Sequence, residues 1–297
     1  MEVDQEWVTR PERSYVGVIR FIVWFALTFG RPATRLLLYP ISLYYVLFSS
    51  KARRSSRDYL QRALARRPSL RDVFRHYLFF ASTILDRVFL LSGRSELFEI
   101  HLHGDGVIQE VIAGKQGFFL VSAHMGSFEV LHAVGRAQGQ IEASMVMYEE
   151  NARKLGSVLR SINPDANPTV IPLGRIDSML KIQEALERGE CIGMLADRAI
   201  SGEKMIDCDF LGGKMAFPLG PFRLAAMLRR PVILMLGLYQ GANRYEVYVE
   251  NLGDLAKTER GERETAVAAM VQRYASRLEH HCRAHPYNWF NFYDVWH

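Results

Sequence analysis

Cysteine is scarce in this chain: Cys191, Cys208 and Cys282 are the only three in 297 residues, and they are far apart with no Cys-x-x-Cys spacing. Neither a disulfide framework nor a structural zinc site follows from them, so a reducing compartment is the default. Charged residues are also sparse, at 23% against 49% hydrophobic, which excludes a disordered tail or a fibrous repeat. No internal repeat and no low-complexity tract is present. The start, MEVDQEWVTRPERS, is acidic and lacks the cationic segment and short apolar core of a cleaved secretion signal. No apolar run reaches the roughly 18 uninterrupted residues of a clean membrane-spanning helix. There is no Gly-x-Ser-x-Gly elbow, so a serine hydrolase would need another nucleophile. Gly212-Gly213 and Gly220-Pro221 lack the Walker Lys-Ser/Thr and any spaced Gly-x-Gly-x-x-Gly, and no nucleotide site is supported.

What is present is unevenly placed. The net charge is +5, yet Lys51, Arg53, Arg54, Arg57, Arg62, Arg66, Arg67, Arg71 and Arg75 against Asp58 and Asp72 make +7 in one stretch. The rest of the chain therefore sums to −2, and the protein carries a basic stripe on a near-neutral body. Such a stripe suits nucleic acid, anionic lipid head groups or an acidic protein partner. It follows two apolar runs, Tyr15 to Phe29 and Leu36 to Phe48, interrupted by Arg20, Arg31, Pro32, Arg35 and Pro40. These read as a partly interfacial membrane anchor, with Trp24, Tyr39, Tyr44 and Tyr45 at the head-group boundary; a pair of buried helices is the plainer alternative. Because the stripe adjoins an apolar anchor and has no interleaved aromatics to stack bases, no nucleic-acid partner is expected.

Residues 55–93 show helical spacing broken at Pro68, which predicts two amphipathic helices. Beyond Gly93 short apolar runs alternate with helical stretches, the pattern of an α/β sheet domain. Strands are expected near 98–103, 117–122, 142–147, 169–173, 191–196, 231–239 and 245–250. Helices are expected near 127–138, 151–162, 177–189, 218–230 and 267–278. The expected fold is a mixed sheet flanked by helices, with residues 1–93 as an apolar and basic helical region and 94–297 as the α/β domain.

His124 stands just after a buried strand, in Ser-Ala-His-Met-Gly-Ser-Phe-Glu, with Glu129 at the start of a helix. A strand that opens into a glycine turn presents side chains at the sheet rim, where open α/β folds bind their ligands. An imidazole oriented there by a carboxylate through one ring nitrogen has the other free to take a proton from an alcohol. The alternative is a histidine–glutamate hydrogen bond that merely satisfies a buried turn, with Ser127 as a helix cap. His280, His281, Cys282 and His285 resemble a metal cluster in composition, but they end an amphipathic helix and read as a helix terminus. The aromatic tail, Tyr287 to Trp296, fits burial against the sheet as well as membrane contact.

The ordered set of motifs resembles the late acyltransferases of lipid A biosynthesis, within the superfamily of lysophospholipid-type acyltransferases marked by His, four residues, then Asp or Glu. The set comprises Arg-x-x-Ser-Arg-x-Tyr-Leu after the apolar N-terminus, the block around His124, and Asn151 through Arg160. It continues with Gly-Met-Leu-Ala-Asp ending at Asp197, Asp209-Phe-Leu-Gly-Gly, Phe217-Pro-Leu-Gly-Pro-Phe-Arg-Leu-Ala, and Pro286-Tyr-Asn-Trp. The resemblance implies transfer of a fatty acyl group from an acyl carrier protein (or coenzyme A) thioester to a hydroxyl of a membrane glycolipid. It implies an inner-membrane enzyme facing the bacterial cytoplasm, without cofactor or metal. It makes His124 the general base and Glu129 the residue that orients it. Asn151, Arg160, Asp197 and Arg198 fall at substrate-side positions, with Arg160 suited to a phosphate or a developing oxyanion. Three positions depart from the usual pattern: Glu149 in place of arginine, Arg198 in place of glutamine, and Phe128 in place of tryptophan. The first two change charge beside the expected acceptor site. A different lipid acceptor, or a non-catalytic lipid-binding module, is therefore the alternative.

Overall fold

The computed structural model describes residues 15–114, 116–137, 142–148, 170–174, 177–198, 203–256, 258–259 and 261–296. Its first element, α1 (Tyr15–Phe48), joins both apolar runs into one helix that is kinked where Gly30 leaves the helical region at φ 79°. Pro32 and Pro40 lie inside it, and Pro32 follows the kink because a proline fits the first turn after a break. Then come α2 (Ser50–Leu64) and α3 (Leu70–Leu91), the two helices expected on either side of Pro68. A capping box starts α3: the Ser69 hydroxyl accepts from the Asp72 amide and the Asp72 carboxylate accepts from the Ser69 amide.

The remaining chain is the α/β body. In order it forms β1 (Glu99–His103), α4 (Asp105–Ala113), β2 (Phe118–Ser122), α5 (Phe128–Ala137), β3 (Ala143–Tyr148) and β4 (Val170–Leu173). It continues with α6 (Ser178–Glu187), β5 (Cys191–Leu195), β6 (Met205–Phe210), β7 (Gly213–Pro218), α7 (Gly220–Leu228), β8 (Pro231–Gly241), β9 (Arg244–Asp254) and α8 (Arg263–Ala284). Seven strands make one sheet in the order β1-β9-β8-β2-β5-β3-β4, parallel throughout except where β8 turns back into β9. β2 and β5 are apolar on both faces because helices cover both sides of a parallel sheet. On one side Phe119, Val121, Ile192, Leu234 and Leu236 pack with residues of α2, α6, α7 and α8. On the other Phe118, Cys191, Ile233 and Met235 pack with α1, α3, α4 and α5.

Two elements were not legible in the sequence. The short helix α4 has no strong periodicity, and β6 and β7 form a separate hairpin through a Leu211-Gly212 turn with both residues at positive φ. The helix expected at 151–162 lies outside the described residues. Among the described residues no helix is long and apolar enough to cross a membrane.

A buried ion pair ties α1 to the body. Arg31 donates to both carboxylate oxygens of the fully buried Asp86, at 2.6 and 2.9 Å, and the Tyr245 hydroxyl donates to the same carboxylate at 2.8 Å. Removing one partner strands the other in the interior. Asp86→Ala is expected to lower stability by about 3–5 kcal/mol, measured as the midpoint of urea unfolding with the slope unchanged.

Candidate active site

β2 and β5 run parallel, with Ser122 opposite Leu195. Carried two residues past that pair, the register sets His124 beside Asp197 at the C-terminal ends of adjacent strands, the rim where such sheets bind ligands. The imidazole Nδ1–H donates to Asp197 Oδ1 at 2.8 Å, and the His124 amide donates to Oδ2 at 3.0 Å. This contact fixes the tautomer, so Nε2 is the unprotonated nitrogen. The His124 side chain is 31% exposed while Asp197 is wholly buried, so the imidazole can be reached and its partner cannot.

Two further donors close on the same carboxylate. Trp289 Nε1 and Asn291 Nδ2 each donate to Oδ2 at 3.0 Å. The C-terminal segment is laid across the site: the Phe290 amide donates to the His124 carbonyl at 2.8 Å and the Gly126 amide to the Asn288 carbonyl at 2.9 Å. Gly126 stands at φ 68°, and a Cβ there would lie 1.9 Å from the Gly237 carbonyl oxygen of β8, so only glycine closes this turn.

Burial alone would raise the Asp197 carboxyl, but His124 and Arg198 hold it well below the usual carboxylate range. For His124, burial pushes the pKa down and Asp197 pulls it up. The charges of Arg198 and Arg87 add to the downward push, and the net direction is below the ordinary imidazole value.

The task of orienting His124, which the sequence reading assigns to Glu129, belongs to Asp197 in the structure. The tight turn at Gly126 and the start of α5 carry Glu129 toward α3, where its buried carboxylate pairs with Arg87 at 2.6 Å and accepts from the Ser127 hydroxyl at 3.1 Å. Arg198, read as substrate-side, donates from Nε to Asn291 Oδ1 at 2.5 Å and from Nη2 to the Phe290 carbonyl at 3.0 Å. Its guanidinium also lies over the Tyr293 ring, 5.4 Å from the centroid. Asn151, Glu149 and Arg160 lie outside the described residues. Trp289 was visible in the aromatic tail and in the Pro286-Tyr-Asn-Trp motif, and Asn291 was not singled out; no local spacing connects either to His124, more than 160 positions earlier.

Between the sheet and helices α4 and α5 lies an open apolar cleft, about 770 Å³ with the solvent at its mouth counted. Leu120, Phe128, Leu131, Met145, Gly193 and Met235 are among its lining residues. Phe128, the first residue of α5, lines it where the helix begins. A Cβ on Gly193 would come within 3.3 Å of the Phe128 ring.

The histidines near the C-terminus are engaged elsewhere. His281 Nε2 donates to Glu250 at 2.8 Å, and His285 pairs with Gln240 at 3.1 Å. Among the described residues no group of three or more His, Cys, Asp or Glu is arranged to hold a metal ion.

Comparison with protein families matches residues 88–297 to the bacterial lipid A biosynthesis acyltransferases. The chain belongs to that family. It is an acyltransferase, and the family's acceptors are of the lipid A type. Comparison with curated proteins gave no match.

One more buried group supports the tail of this acyltransferase. His76 of α3 is fully buried, donates from Nε2 to the Trp289 carbonyl at 2.8 Å, and accepts at Nδ1 from the Ser56 hydroxyl at 2.9 Å. Burial lowers its pKa from 6.5 to about 4, with the carbonyl contact opposing. The unfolded chain therefore takes up a proton near pH 6.5 that the fold accepts only near pH 4. Stability is complete above the upper value and falls as pH drops through this window, by about 3 kcal/mol. His76→Gln is expected to flatten that part of the curve of unfolding free energy against pH.

Proposed function

We propose that the protein moves a fatty acyl group from an acyl carrier protein thioester to a hydroxyl of a lipid A-type glycolipid, with His124 as general base. The observation that carries this reading is the imidazole held through Nδ1 by a buried, ionised Asp197, on a His124 side chain that is itself 31% exposed. Nε2 takes the acceptor's hydroxyl proton as the oxygen attacks the thioester carbonyl. The tetrahedral oxyanion collapses, the carbon–sulfur bond breaks, and the imidazolium returns the proton to the departing thiolate. General-base catalysis of this kind contributes on the order of 10²–10⁴-fold, and positioning supplies more.

Asp197, not Glu129, is the positioning carboxylate in this reading; Glu129 instead holds Arg87 near the imidazole. Arg160 keeps the anion-binding role that the family resemblance gives it. The cavity beside α5 suits an acyl chain, because its lining is almost wholly apolar.

The N-terminal region fits a membrane surface at the inner membrane's cytoplasmic face. Trp24, Phe29, Leu36, Leu43, Tyr44, Leu47 and Phe48 of α1 are at least half exposed, and Lys51, Arg54 and Arg57 follow at once on α2. An apolar helix face next to exposed cations is the pattern of a helix that lies in an anionic interface. An acidic carrier protein would be drawn to the same cations.

Purified protein incubated with acyl carrier protein thioester and a lipid A disaccharide precursor should form the acylated product, detected by mass spectrometry. His124→Ala and Asp197→Asn should each lower kcat at least 100-fold while circular dichroism is retained. Equal transfer by His124→Ala would remove the assigned base. Transfer only to another lipid in a mixed panel would replace the acceptor and keep the chemistry. Sedimentation with vesicles containing anionic lipid, abolished by Leu36→Glu with Leu43→Glu, checks the membrane seat.

A further inference from the structure

The acyl-transfer reading leaves unexplained why the C-terminal segment returns to the centre of the site. Residues 288–291 are bound there by partners from several parts of the fold. Asn288 is held by the backbone of Tyr239, to which it donates at 3.0 Å and from which it accepts at 2.8 Å. His76 grips the Trp289 carbonyl and Arg198 grips the Phe290 carbonyl. Met125 and Trp289 form an antiparallel bridge, and the Trp289 ring is wholly buried, 5.0 Å from Tyr59 and 5.3 Å from Phe210. This much fastening secures two side chains whose polar ends point at one atom, Asp197 Oδ2.

We propose that Trp289 and Asn291, drawn across the site by Arg198, are positioning residues of the acyl-transfer centre: they hold the Asp197 carboxylate in the one orientation that aims His124 Nε2 at the acceptor hydroxyl. The inference rests on His124 being the base. A carboxylate has two oxygens and rotates about its own bond unless both are fixed. Oδ1 is taken by the imidazole, whereas Oδ2 receives the His124 amide, the indole N–H and the Asn291 amide, all at 3.0 Å. The Asn291 amide is itself fixed, because its oxygen accepts from Arg198 Nε and only its NH₂ can then face Asp197. Arg198 thus acts through Asn291 and the strap carbonyl, and the carbonyl contact fixes the backbone that carries both donors.

The strap also sets how strongly the base holds its proton. Each donor to Oδ2 disperses the carboxylate's negative charge and so weakens its stabilisation of the imidazolium. The other charged and titratable groups around the pair are Arg198 beyond β5, Arg87 of α3 with its partner Glu129 of α5, Tyr274 and Cys282 of α8, and Tyr293 of the tail. Tyr274 donates its hydroxyl to the Ser122 carbonyl, and burial pushes the Tyr293 phenol up to about 12, so both are neutral when the enzyme works. Cys282, pushed above the usual thiol range by burial, is neutral as well. The cations are constant over the working range, which leaves the strap donors as the part that substitution can change without altering charge.

The experiment is a pH profile of kcat/KM for Trp289→Phe, Asn291→Ala, Arg198→Met and Arg198→Gln, with acyl carrier protein thioester and a lipid A disaccharide precursor. Trp289→Phe keeps the buried ring and removes the N–H. Loss of a donor should move the acid limb to higher pH by roughly 0.5–1 unit and lower kcat by about 10–100-fold with KM nearly unchanged. Arg198→Met should behave likewise. Arg198→Gln, which keeps an amide donor, should recover part of both effects. A lowered unfolding midpoint with an unmoved acid limb and wild-type kcat in Trp289→Phe and Asn291→Ala would make the strap structural only and overturn the proposal. His124→Ala in the same series separates the two levels: if it stays active the base assignment fails, and if it is dead while the strap variants match wild type, only the strap role fails.

Discussion

An ionised carboxylate with no contact with water costs several kcal/mol unless its neighbours replace the solvent. Asp197 is such a group, and the layout of the site follows from satisfying it. Four N–H donors surround it: the His124 amide and imidazole from the turn after β2, and the indole and amide of Trp289 and Asn291 from the end of the chain. Adjacent parallel strands can bring only the first pair. The second pair requires a segment that crosses the sheet rim after α8, and that segment carries its own fastenings to α2, α3 and β8 through His76, Ser56 and Asn288. The N-terminal helices therefore do more than precede the catalytic body, because α3 holds the strap that holds the carboxylate.

The same geometry divides the two acids that a sequence motif tends to merge. His124 and Glu129 share one short block, but the positive φ of Gly126 and the start of α5 separate their directions. Glu129 pairs with Arg87 near the C-terminal end of α3, while the residue that reaches the imidazole follows β5, more than seventy positions away. Burial of both carboxylates is tolerated because each has a cation or a set of donors of its own.

Much of the architecture could be read from apolar spacing. The strands β2 and β5, the helix pair divided at Pro68, and the α/β texture after Gly93 all follow from patterns within 10 to 20 residues, the range over which helix and strand periods repeat. His124 was legible because strand, glycine and helix start are contiguous. The pairing of His124 with Asp197 depends on strand register, and sequence spacing carries no information about which strands become neighbours. Trp289 and Asn291 were hidden for a related reason: a buried indole N–H looks like any core tryptophan until its acceptor is known. The hairpin of β6 and β7 escaped notice because its turn uses Leu211 at positive φ, where a non-glycine residue gives no signal.

The electrostatics of His124, the base of the proposed reaction, follow from this division of labour. A general base for an alcohol must be neutral before attack and must hold the proton long enough to pass it to the thiolate. Burial and the charges of Arg198 and Arg87 push the imidazole toward its neutral form, while Asp197 pulls the other way and, in the proposed reaction, would stabilise the imidazolium. If Glu129 also faced His124 unpaired, the additional negative charge would favour the protonated imidazole in the resting enzyme and leave less of the free base. Its pairing with Arg87 removes that excess. The two arginines are thus tied to the acid and to the strap, and they act on the base through their field, which falls off with distance but needs no direct contact.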